Sequence, residues 1–177
     1  MTSRSTEAMT TWLGTLARVG IVDTQTMLAG QALMAYVVGE EKLDALRSWF
    51  ALCTPETAAL EKQAAIEMCV WMAHADREIV ANELEILAEL VRQSGLSQAA
   101  QAAILGAISH PPSLMGLERR ITHPVLRELM LALTWELACA DGRIDARERE
   151  VFERLARTLD ISRVRALEIL DTVTAHV

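Results

Sequence analysis

The 177-residue chain carries 17 Lys and Arg against 24 Asp and Glu, a formal net charge of −7. That balance argues against nucleic acid as a partner, because phosphate binding leans on a basic face, and suits solubility, cations or basic partner proteins. Hydrophobic residues make up 51% of the chain with only eight Gly and four Pro, and Val, Ile, Thr, Tyr and Phe never form alternating runs, so helix is favoured and no strand is expected.

The first Ser/Thr-rich residues are expected to fray. A helix is predicted from about Glu7 to Val19, and a second from a cap at Asp23 that breaks at Gly39 and resumes through EEKLDALRSWF. Thr54-Pro55-Glu56 is a helix start, a capping Thr with Pro at the first helical position. That helix carries Leu60, Ala64, Glu67, Met68, Trp71 and Met72 toward Asp76. A helix from about Ala81 to Ser94 should stop at Gly95, and Ser97 should cap another that ends near Ser109 at His110-Pro111-Pro112. A short helix is predicted over Leu114–Arg120, and Thr122-His123-Pro124 opens the next, to about Ala140. Gly142 ends it, Asp145 caps a helix to Leu159, and Ser162 caps the last, to about Ala175.

Cys53, Cys69 and Cys139 are odd in number and form no CxxC pair, so neither a zinc finger nor a disulfide framework is indicated, and a reducing cytoplasm is the simple expectation. No secretory signal is visible, because Glu7 precedes any apolar core. The charge-free stretch between Asp23 and Glu40 falls short of the ~20 apolar residues a membrane span needs and reads as a buried helix. No Ser/His/Asp or Cys/His nucleophile set, P-loop or dinucleotide fingerprint occurs, so a non-enzymatic protein is expected.

The chain also repeats itself. Residues 73–97 laid on 138–162 without a gap give ten identities in 25 positions, where chance predicts about two. The identities include Ala75/Ala140, Asp76/Asp141, Ile79/Ile144, Glu83/Glu148, Leu90/Leu155 and Ser97/Ser162, and Leu96/Ile161 and Ile104/Ile169 keep apolar character. Each half therefore reads as helix, short turn, amphipathic helix, Ser cap, helix.

In the second copy, Asp141-Gly142-Arg143-Ile144 followed by Glu148 matches the back half of an EF-hand loop. The front half is missing: its first two acidic positions hold Leu137 and Cys139, or Met72 and His74 in the first copy. A cation would therefore need ligands pooled from both copies. Helix capping is the competing explanation, since Asp145 and Glu148 form a capping box. It does not extend to the first copy, where the cap position is Val80 while Glu83 remains. Asp76 and Asp141, expected at helix C-termini where the dipole disfavours an anion, would be eased by a bound cation or by Arg77 and Arg143. His74 and Cys139 precede each Asp by two and would add softer, zinc-like ligands, although residues two apart on a helix do not face each other, which favours packing or surface roles for them.

AHADREIVANELEILAELVRQSGLS and ACADGRIDAREREVFERLARTLDIS resemble the paired ADG-x-I-x-x-x-E signatures of the TerB-like family, which includes tellurite-resistance TerB proteins and N-terminal domains of some DnaJ-like chaperones. The resemblance covers about residues 58–175. It implies an all-helical domain of two related halves and a metal site at Asp76 and Glu83 from the first motif with Asp141 and Glu148 from the second. Asp145, Glu85 and Glu150 match less closely, and the first motif departs from the family in having Arg77 for Gly and Val80 for a polar residue.

The expected architecture is an all-α bundle of two pseudo-symmetric helix-turn-helix halves, about 58–110 and 123–176, within a TerB-like domain at 55–177, preceded by an N-terminal helical extension at 1–54. The expected function is a stress or tellurite response protein binding a divalent cation (Ca, Mg or Zn). The alternative is a metal-independent interaction scaffold whose acidic turns only cap helices. The expected partner is another protein, with no nucleic acid and no transmembrane segment, and self-association into a homo-oligomer stays open.

Overall fold

The computed structural model describes residues 36–73, 88, 91–92, 94, 96–108, 110, 113–138 and 146–175. Every regular element among them is helical. Residues 36–38 are helical and Gly39, at φ +87°, breaks the run before α1 (Glu40–Leu52). Glycine reaches that positive φ without a Cβ clash, so the break falls where the sequence placed it. α2 (Pro55–Ala73) begins as expected, with the Thr54 hydroxyl accepting from the Thr57 N–H at 3.2 Å.

α3 (Gln98–Ala107) and α7 (Arg163–Thr174) start from equivalent serines of the two copies. Ser97 accepts from the Ala100 N–H at 3.3 Å and Ser162 from the Arg165 N–H at 3.2 Å. Their backbones also agree, with φ −59° and ψ 152° against φ −60° and ψ 149°. Matched apolar positions share their burial as well: Ile104 and Ile169 are both inside, as are Val91 and Ala156.

α4 is shorter than expected, running only Leu117–Arg120. Gly116 adopts the left-handed conformation at φ +79°, so residues 114–116 form a turn instead of the first helical residues. α5 (Pro124–Ala138) and α6 (Ala146–Thr158) complete the described elements. The predicted helices over 7–19 and 23–38 lie outside the described residues apart from 36–38, as do Gly95, Pro111, Pro112 and Gly142.

The centre of the bundle is α5. Leu129, Met130, Leu131, Ala132, Leu133 and Trp135 are all buried, so this helix is apolar around its circumference, as a helix surrounded by others must be. It packs on α1, α2, α6 and α7. α7 meets it with Ala166, Ile169, Leu170 and Val173, the i, i+3, i+4, i+7 stripe of one helix face. Each large apolar side chain buried there contributes about 1.5–3 kcal/mol of transfer free energy. α6 alternates exposed Glu150, Glu153 and Arg154 with buried Phe152 and Leu155, the amphipathic pattern legible in its sequence. α1 places Leu43, Leu46 and Phe50 in the same hydrophobic cluster. None of the described helices is long and apolar enough to cross a membrane.

Candidate cation site and its surroundings

Of the residues expected to hold a cation, the structure describes Glu148. It lies in the first turn of α6 and is half-buried, a position where a carboxylate suits the helix dipole. Asp76, Glu83, Asp141 and Asp145 lie outside the described residues, as do His74, Arg77, Val80, Cys139 and Arg143. Among the described residues no group of three or more His, Cys, Asp and Glu is arranged to hold a metal ion. α2 and α5, the helices that lead in the chain to Asp76 and Asp141, pack against each other.

Polar anchors on the described helices hold this framework, and the foremost was not evident from sequence. Glu61 of α2 is 1% exposed, and its carboxylate accepts from the Thr122 N–H at 2.8 and 3.1 Å and from the Thr122 hydroxyl. The charge is thereby desolvated but satisfied, at the entrance of α5, where N–H groups lack helical partners. Glu61 shares a buried stripe with Ala64, Ala65 and Met68, while Leu60 beside it is 64% exposed.

Three further anchors act across elements. Glu67 accepts from Gln63 at 2.8 Å and pairs with Arg120, joining α2 to α4. Arg127 donates to the carbonyls of Glu118, Ile121 (2.6 Å) and Leu159 (3.3 Å), so one guanidinium ties α4 and the end of α6 to α5. Arg165 of α7 binds Glu128 at 2.7 Å, Glu168 at 3.1 Å and the Val37 carbonyl at 2.6 Å, fastening residues 36–38 to the bundle.

A smaller junction sits where α1 meets the start of α5. The Trp49 ring lies 4.9 Å from the His123 imidazole, centroid to centroid. His123 precedes Pro124 and its carbonyl accepts from the Arg127 N–H, while its Nδ1 is buried without a partner among the described residues. Burial holds this imidazole below its usual pKa. Burial also raises the nearby Cys53 thiol, with the Glu61 carboxylate pushing the same way, so Cys53 is no activated nucleophile.

Residues 62–169, which take in most of α2, all of α3 to α6, the start of α7 and both acidic motifs, match a family model described as tellurite resistance protein TerB. The chain belongs to the TerB family. The match covers more than half of its length and includes Asp76, Glu83, Asp141, Asp145 and Glu148. It begins just after Glu61, so α1, which buries Leu43, Leu46 and Phe50 against the rest of the core, lies outside the TerB match. Neither the curated proteins nor the solved structures contain a significant match.

Proposed function

We propose that this TerB-family chain is a non-enzymatic protein of a tellurite or stress response that binds a divalent cation through carboxylates pooled from its two acidic turns. The ligands would be Asp76, Glu83, Asp141 and Glu148, with Asp145 adjoining. The observation that carries this reading is the duplication within the TerB match: both copies keep an Asp and, seven residues on, a Glu, although the first has Arg77 and Val80 in place of turn and cap residues. Four carboxylates form a hard oxygen donor set, which suits calcium or magnesium, and zinc would draw on His74 or Cys139. Arg77, standing where the second copy has Gly142, makes the site asymmetric. The same reading takes residues 1–54 as a helical extension of a TerB-like domain at 55–177, in a cytoplasmic setting.

Calorimetric titration with Ca²⁺, Mg²⁺ and Zn²⁺ tests it, alongside an Asp76→Ala/Asp141→Ala variant. A cation at ~100 times its Kd should stabilise the folded chain by about 2.7 kcal/mol, and the variant should lose the effect. Absence of heat and of any thermal shift with all three ions would remove the proposal. A metal-independent interaction scaffold is the second reading, favoured by Leu52 and Leu60, 87% and 64% exposed on either side of the α1–α2 turn. On that reading chelation leaves stability unchanged.

A further inference from the structure

A groove of about 590 Å³ opens between the turn before α4 and the second half of α6, lined by Leu114, Met115, Glu118, Arg119, Arg154 and Thr158. Met115 is 89% exposed, more than any other large apolar side chain among the described residues. Its position is set by an ordered turn. The Met115 N–H donates to the Ser113 hydroxyl at 3.1 Å, Gly116 takes φ +79°, and the Leu117 N–H bonds the Leu114 carbonyl at 3.1 Å while Leu117 itself is buried. The fold thus anchors both ends of this turn and displays the methionine between them.

Two guanidiniums share the groove. The Arg119 side chain is 86% exposed, and its one ion pair among the described residues is with the adjacent Glu118, at 3.6 Å. Arg154 is exposed and makes no ion pair among the described residues. The Thr158 hydroxyl donates to the Arg154 carbonyl at 3.0 Å, so it faces the groove as an acceptor. With two cations against one carboxylate, the groove is a cationic, partly apolar concavity on a chain of net charge −7.

We infer that this groove docks an acidic segment of a partner protein, one that offers carboxylates to Arg119 and Arg154 and an apolar side chain to Leu114 and Met115. Arginine forks pair with carboxylates in bidentate fashion, and a thioether side chain adapts to varied apolar shapes. A membrane surface fits less well, because lipid binding draws on a broad apolar face with several cations, whereas this is a narrow groove with two. The inference is independent of the cation reading, since Glu148, the proposed cation ligand among the described residues, does not line the groove, and it gives the scaffold reading a definite surface.

The test uses the full chain in EDTA, so that its outcome does not depend on a bound cation. Fluorescence anisotropy is read with a fluorescein-labelled decapeptide alternating glutamate and leucine, against serine–leucine and all-glutamate decapeptides. The glutamate–leucine peptide should bind saturably and more tightly than either control, and weaken as salt rises. Arg119→Glu/Arg154→Glu should weaken it at least about tenfold, as expected for two exposed ion pairs turned repulsive, and Met115→Ser about threefold. Both substitutions are at exposed positions, and an unchanged helical circular dichroism spectrum checks their folding. No peptide binding, equal binding by the charge-reversed variant, or equal binding of the serine–leucine peptide overturns the inference. So does binding to phosphatidylserine vesicles instead of peptide. A dimer seen by sedimentation and abolished by the charge reversal overturns it too, by making the groove an interface between copies of this chain.

Discussion

Glu61 and Thr122 are 61 residues apart in the chain, yet the buried carboxylate of one receives both the N–H and the hydroxyl of the other. This contact lets α2 satisfy the polar entrance of α5, the helix around which the bundle is built. Glu61→Ala takes away the buried acceptor that both Thr122 donors share, and should cost about 1.5–3 kcal/mol in urea unfolding, the worth of hydrogen bonds to a charged group. Thr122→Val keeps the backbone contact and should cost only about 1 kcal/mol. Equal costs would show that the carboxylate matters only through the hydroxyl.

The His123 imidazole makes stability depend on pH. Burial holds it neutral below its ordinary value of 6.5, so on acidification the unfolded chain takes up the proton first. Stability is therefore full above the unfolded value and falls as pH drops below 6.5, until the folded imidazole also titrates. Urea midpoints measured at about pH 7.5 and about pH 5.5 should differ less in His123→Asn than in the parent, because this titration is gone and the amide can cap α5.

Asp160 sits at φ +57° where α6 ends, with the Ile161 N–H reaching the Ala156 carbonyl at 2.9 Å and the Asp160 N–H the Arg157 carbonyl at 3.1 Å. This pair of bonds is a Schellman motif, and its left-handed residue is usually Gly. The matched residue of the first copy is Gly95. Asp160→Gly removes a strained Cβ and an anion at the negative end of a helix, and should raise stability by about 0.5–1 kcal/mol. Thermal unfolding checks the sign, and a lowered Tm would count against the motif.

The Trp135 indole N–H donates to the Thr174 hydroxyl at 2.9 Å, and its ring meets Phe152 edge-on at 5.0 Å. Thr174→Val leaves the indole donor unpaired and should cost about 1–3 kcal/mol. Adding Trp135→Phe removes that orphan, so the double variant should cost less than the sum of the two single ones. Strict additivity in chemical denaturation would mean that the hydrogen bond is not the coupling.

Local features were legible in the sequence because their physics is local. The Thr54, Ser97 and Ser162 caps act within one helical turn, Gly39 breaks a helix through its own backbone, and the copy-to-copy match of Ile104 with Ile169 follows from one repeated pattern. The late start of α4 was missed because Leu114 and Met115 have helical propensity, and the left-handed Gly116 overrides it.

By itself, then, the chain determined an all-helical fold, its caps, its repeated acidic motifs and its TerB family membership, all of which depend on residue type at short spacing. Tertiary structure alone decided that Glu61 goes inside while Leu60 stays out, that Arg127 gathers three carbonyls, and that Met115, Arg119 and Arg154 come together at one groove. Such outcomes depend on partners tens of residues away, and a buried charge or a displayed methionine becomes meaningful only when those partners pack beside it.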